Sequence, residues 1–182
     1  MRALVLLLGT VVAATLLPPV GRATGGRYAF AGGTPREQAE VARALAASRF
    51  DWSIVPAKIK IHIQRGALSR ATPGEIWLDA DLLDAGTFGW GVVQHEFAHQ
   101  VDFLVLTAPA RALLLRRLGA NVWCTDGAQQ HDQLGCERFA SMLAWAYWPT
   151  SENCMRPANA DASAARRFRR LVSTVLPGGG ER

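Results

Sequence analysis

The five residues His95-Glu96-Phe97-Ala98-His99 carry the clearest chemistry of the chain. On an α-helix, two histidines four positions apart lie about 40° from each other around the axis and roughly 6 Å apart along it. Both imidazoles can therefore reach one metal ion. Glu96 sits about 100° round from His95, too far to the side to be an obvious ligand but placed to take a proton from a water that the metal activates. The HExxH pattern thus brings two zinc ligands and a general base together. A catalytic zinc normally has a third protein ligand beside its open position, and another part of the chain must supply it.

The best candidate is Glu137, which opens the run Glu137-Arg138-Phe139-Ala140-Ser141. On a helix, Glu137, Ala140, Ser141 and Ala144 share one face, while Phe139, Met142, Leu143 and Ala146 form a broad apolar face on the other side. Small residues beside the carboxylate let that helix approach another closely. The competing reading of Glu137 is a surface carboxylate that stabilises a helix N-terminus. Asp126 and Asp132 in the preceding loop are weaker ligand candidates. Asp102 lies on the histidine face one turn beyond His99, where its short side chain suits orienting an imidazole better than binding metal, although a solvent-facing aspartate looks the same. His131 is a candidate to stabilise a developing oxyanion, and equally a loop histidine with no such duty. Tyr147 is a poorer choice, far along the helix and off the Glu137 face.

Local patterns place these residues on elements. Thr34-Pro35-Arg36-Glu37 combines a threonine cap, proline in the first turn and a glutamate that completes a capping box, so a helix runs to about Ala47. The stretches 58–64 and 75–79 alternate polar and apolar residues and predict two strands forming an antiparallel ribbon. Residues 80–83 begin a short helical turn, and the HExxH helix comes next, from about Phe88 to Leu106. Its Trp90, Val93, Phe97, Val101 and Leu104 form one apolar stripe, with His95 and His99 roughly opposite, so the histidines avoid the principal core. Further helices are predicted over 109–118, 136–148 and 164–176, with a loop over 121–135.

The HExxH helix succeeded by a helix carrying Glu137 and Ala140 resembles the gluzincin-type zinc metallopeptidases over about residues 58 to 148. The resemblance implies an α+β, zincin-like domain with a small antiparallel sheet before the active helix and a helical C-terminal half. It implies Zn2+ held by His95, His99 and Glu137, and Glu96 as catalytic base in hydrolysis of a peptide or protein substrate. The strand pair looks like the substrate-binding edge of that family, with Glu75–Asp79 receiving an extended peptide. In these enzymes a carboxylate often lies four positions beyond the ligand glutamate to support a histidine, and Ser141 stands there. The metzincin pattern fits poorly, because Gln100-Val101-Asp102-Phe103 continues the helix without a glycine turn and third histidine. The rival reading is a non-catalytic secreted module in which the same zinc staples helices together, serving binding or cell-envelope structure. Glu96 favours the enzyme, since a structural site needs no adjacent base.

With 182 residues, 49% of them hydrophobic, the chain suits one globular domain over 24–182. Residues 1–23, basic at Arg2, apolar to Leu17 and small near Gly21 and Ala23, read as a secretory signal; an uncleaved membrane anchor is the alternative. The formal charge of +5 falls to about +3 for a chain beginning near Thr24, too mild to argue for nucleic acid. Arg166-Arg167-Phe168-Arg169-Arg170 is the densest cationic patch, either a solvated helix face or a weak contact with an anionic envelope or membrane surface. In an exported chain, one disulfide among Cys124, Cys136 and Cys154 is expected. Cys124 with Cys136 is the favoured pair, because it pins the polar loop to the start of the next helix.

Overall fold

A computed structural model describes residues 27–125, 131–158 and 160–176; the segment read as an export signal lies outside them. In chain order the elements are β1 (Tyr28–Gly32), α1 (Pro35–Ala47), β2 (Ile59–Gln64), β3 (Arg70–Thr72), β4 (Glu75–Asp79), α2 (Ala80–Asp84), α3 (Thr87–Leu104), α4 (Ala108–Leu118), α5 (Gly135–Tyr147) and α6 (Ala162–Val175). The architecture is mixed α+β. All four strands precede α3, and the described residues beyond α3 are helical or loop, apart from one bridge between Val122 and Leu134. No described helix is long and apolar enough to cross a membrane.

The capping box at α1 forms as its residues dictate: the Glu37 amide donates to Thr34 Oγ1 at 3.3 Å, and the Thr34 amide donates to Glu37 Oε2 at 2.6 Å. That helix carries the chain from β1 to β2, which run parallel. A parallel pair needs such a crossover. β1 escapes the alternation rule because Tyr28-Ala29-Phe30-Ala31 contains no strongly polar residue to mark a solvent face.

The sheet order is β1-β2-β4-β3. The ribbon expected from 58–64 and 75–79 is present as a neighbouring pair, but β2 and β4 run parallel, with His62 opposite Trp77. The reversal is made by β3, a three-residue strand lying in sequence between the two expected ones, which pairs antiparallel with β4 from Thr72 opposite Glu75. Pro73 and Gly74 link them, and Gly74 takes φ 84°, a conformation that other residues rarely adopt. Residues 65–69 carry the chain past the position that β4 fills. β4 then returns beside β2 in the same direction.

Ile59, Ile61 and Ile63 of β2 and Ile76 and Leu78 of β4 turn inward to the core, which α1 joins through Val41, Ala44 and Leu45. α3 packs against α1 on one side and most extensively against α5 on another. Of its apolar stripe, Val93, Phe97 and Val101 are buried and Trp90 and Leu104 partly so. Phe97 meets Trp52 edge-on at 5.4 Å, and Trp52 continues through Phe50 to Tyr147. Because Phe97 is fully buried in this aromatic chain, Phe97→Ala should cost about 3–5 kcal/mol in urea unfolding. A loss below about 1 kcal/mol would show that the site collapses without a cavity.

Candidate metal centre

α3 and α5 bring three donor atoms together. His95 Nε2 lies 3.2 Å from His99 Nε2, and Glu137 Oε2 lies 3.1 Å from the first and 3.3 Å from the second. His95 and His99 are buried, and Glu137 in the first turn of α5 is nearly so. The small-residue face of α5 is the one that meets α3, and the carboxylate lies on it. Ala140 and Ala144 are fully buried there and let the two helices lie close.

Ser141 Oγ lies 3.2 Å from His95 Nδ1. A hydroxyl thus occupies the place where the resembled family often has a carboxylate. When the ring's other nitrogen binds a cation, Nδ1 carries the proton and donates it to Ser141. Phe103 stacks on His99 with ring centroids 5.9 Å apart and an interplanar angle of 19°, which restrains the second ring.

Glu96 is buried, and no described residue donates a hydrogen bond to its carboxylate. Burial pushes its pKa up to about 7, His99 opposes the rise, and Glu137 adds to it. For Glu137, burial works against ionisation, but hydrogen bonds from His95 and His99 and their charges outweigh it and hold the carboxyl well below the usual range. Burial likewise works against charge on His99, and the Glu137 hydrogen bond and charge overcome it. Two carboxylates and two imidazoles in one buried space form a donor set that a cation would neutralise.

Two cavities open on either side of Glu96. One of about 520 Å³ includes Arg70, Ala71, Glu96, His99, Phe103 and Glu137. The other, about 450 Å³, includes Leu82, Val92, His95, Glu96, Ser141 and Met155. Leu68 and Ser69 border both, and Leu68 is 79% exposed. The strand expected to receive a peptide, Glu75–Asp79, is interior to the sheet; its outer neighbour β3 takes the margin. Periodicity alone cannot distinguish an inner strand from an outer one.

Gln100 fixes that margin to α3, a role its place in the sequence did not suggest. Its Nε2 donates to Thr72 O at 2.8 Å and Glu75 O at 3.2 Å, and its Oε1 accepts from the Gly74 amide at 2.8 Å. Asp102 serves packing instead of an imidazole. Its carboxylate accepts from Arg111 Nε at 2.7 Å and from the Trp123 indole at 3.0 Å, joining α3 to α4 and the loop beyond it. Tyr147 is buried against Phe50, and Asp132 is exposed and outside the three-donor group. Asp126 and the side chain of His131 lie outside the described residues. Cys124 and Cys136 form the favoured disulfide, with Cα atoms 5.7 Å apart.

No family model matches the chain, and neither the curated proteins nor the solved structures compared with it give a match. The β3–β4 hairpin at the sheet margin is held to α3 by Gln100. Gln100→Ala removes three hydrogen bonds to half-buried or exposed backbone groups, so it should lower stability by about 1–3 kcal/mol. Hydrogen exchange should rise first at Gly74 and its neighbours; unchanged protection there would show that α3 does not hold the hairpin.

Proposed function

We propose that this chain is an exported zinc-dependent peptidase of zincin type, with His95, His99 and Glu137 as ligands and Glu96 as general base. One observation carries the reading. Donors bound at about 2.0–2.1 Å around a tetrahedral ion stand roughly 3.3 Å apart. The three atoms here are separated by 3.1, 3.2 and 3.3 Å. Two imidazole nitrogens and one carboxylate oxygen are also the donor types that catalytic zinc uses.

When bound there, zinc supplies Lewis acidity and lowers the pKa of water to about 7. Glu96 receives the proton released as water attacks the peptide carbonyl, then returns it to the leaving amine. Its burial without a hydrogen-bond donor keeps its basicity available for that exchange. Ser141 and Phe103 hold the two imidazole rings in orientation. An extended substrate adds to the margin of β3 through backbone hydrogen bonds, and Leu68, Arg70 and Phe103 border its side-chain sites. Residues 1–23 and the Cys124–Cys136 disulfide support export to an oxidising compartment. The stapled-module reading lacks a fourth protein ligand in the His95 group among the described residues and leaves Glu96 without a role.

Metal analysis should find about one zinc per chain, lost in His95→Ala and His99→Ala and weakened in Glu137→Ala. Ser141→Ala should weaken zinc by about 10- to 100-fold. Zinc retained at full affinity in Glu137→Ala would remove the third ligand. Glu96→Gln should keep zinc while cleavage of a peptide library falls by about 10²- to 10⁴-fold. A zinc-loaded, unsubstituted chain that cleaves nothing in the library would restore the staple reading.

A further inference from the structure

Glu137 belongs to two donor groups. Its Oε2 faces His95 and His99 at 3.1 and 3.3 Å, and its Oε1 lies 4.0 Å from Cys136 Sγ. The sulfurs of Cys124 and Cys136 and a Glu137 oxygen all lie within 4.8 Å of one another. One carboxylate therefore stands between a nitrogen pair and a sulfur pair. Joined as a disulfide, the sulfurs are not thiolate ligands; as thiolates they are strong zinc donors.

We propose that reduction of Cys124–Cys136 opens a second metal site, formed by the two thiolates and Glu137, which competes with His95 and His99 for the shared carboxylate. The competition, though not the thiolate site itself, rests on the metal reading above. An external dithiol supplies the reducing equivalents: the S–S bond breaks, the dithiol becomes a cyclic disulfide, and the chain gains two thiols. Their protons pass to solvent when metal binds. Cys124 is an exposed residue at the border of the 520 Å³ cavity, the side from which a dithiol would approach the bond.

The backbone keeps the two cysteines together without the S–S bond. Gly135 N donates to Val122 O at 2.9 Å, Cys136 N donates to Trp123 O at 2.8 Å, and Val122 bridges to Leu134. Sulfurs around a tetrahedral zinc, each about 2.3 Å from it, stand roughly 3.8 Å apart. With Cα atoms at 5.7 Å, side-chain rotation reaches that spacing. Oxidised, the described residues here offer only the histidine site; reduced, they offer two sites and one shared ligand. Dithiol reduction thereby withdraws Glu137 from the proposed catalytic ion.

Cobalt(II) tests the two sites separately. It is added to the full chain carrying Cys154→Ser, either oxidised or reduced with dithiol and desalted under argon. The oxidised chain should show only the weak visible bands of nitrogen and oxygen ligands. The reduced chain should gain intense near-ultraviolet thiolate-to-cobalt absorption, lost in Cys124→Ser and Cys136→Ser and diminished in Glu137→Ala. Cobalt bound by the reduced chain without that absorption overturns the proposal. So does loss of the folded circular dichroism on reduction, because the site depends on the Val122–Leu134 pairing. An oxidised chain that binds no cobalt, beside a reduced chain with the thiolate band, overturns the histidine site and supports the thiolate one.

Discussion

The contact between α3 and α5 is the constraint on which the rest depends, because these helices meet over polar and ionisable groups. His95, Glu96 and His99 enter this contact from α3, and Glu137 and Ser141 from α5. Burying charge costs several kcal/mol per ion unless partners compensate. Glu137 obtains compensation from both histidines, whereas Glu96 is pushed up to about 7. The opposite side of α3 is committed to Val93, Phe97 and Val101 in the core. Rotating the polar groups toward water would therefore expose that apolar stripe.

The surrounding polar contacts tie separate pieces of the fold to this helix. Asp102 secures α4 and Trp123, while Gln100 secures the hairpin at the sheet margin. Trp123 lies in the segment whose backbone pairs with the start of α5, next to Glu137. The site thus sits where three independently anchored parts converge. In the proposed hydrolytic reading, that anchoring presets the distance between ligands and base instead of leaving it to flexible loops. The Cys124–Cys136 disulfide reinforces the same junction, with Cys136 Sγ 4.0 Å from Glu137 Oε1.

Much of this arrangement was legible because the signals were local. The Thr34 cap and Glu37 marked the start of α1, since both partners lie within one turn. The four-residue histidine spacing fixed a shared helix face, and the small residues around Glu137 identified a close-packing face. The direction of β4 relative to β2 was different. Their alternation reported which residues face inward, and that pattern is unchanged whether a neighbour runs parallel or antiparallel. Only the course of residues 65–74, with β3 inserted at the margin, decided the direction.

By itself the sequence determined the helix that holds His95, Glu96 and His99, a carboxylate helix suited to meet it, and the main strand positions. Short-range backbone geometry and side-chain periodicity encode these features directly. Tertiary structure decided that the three donor atoms stand 3.1–3.3 Å apart, that Ser141 reaches His95, and that Gln100 and Asp102 anchor neighbouring segments. It also decided that Glu137 lies between nitrogen and sulfur groups. These relations depend on how residues distant in sequence meet in space, which no local periodicity can specify.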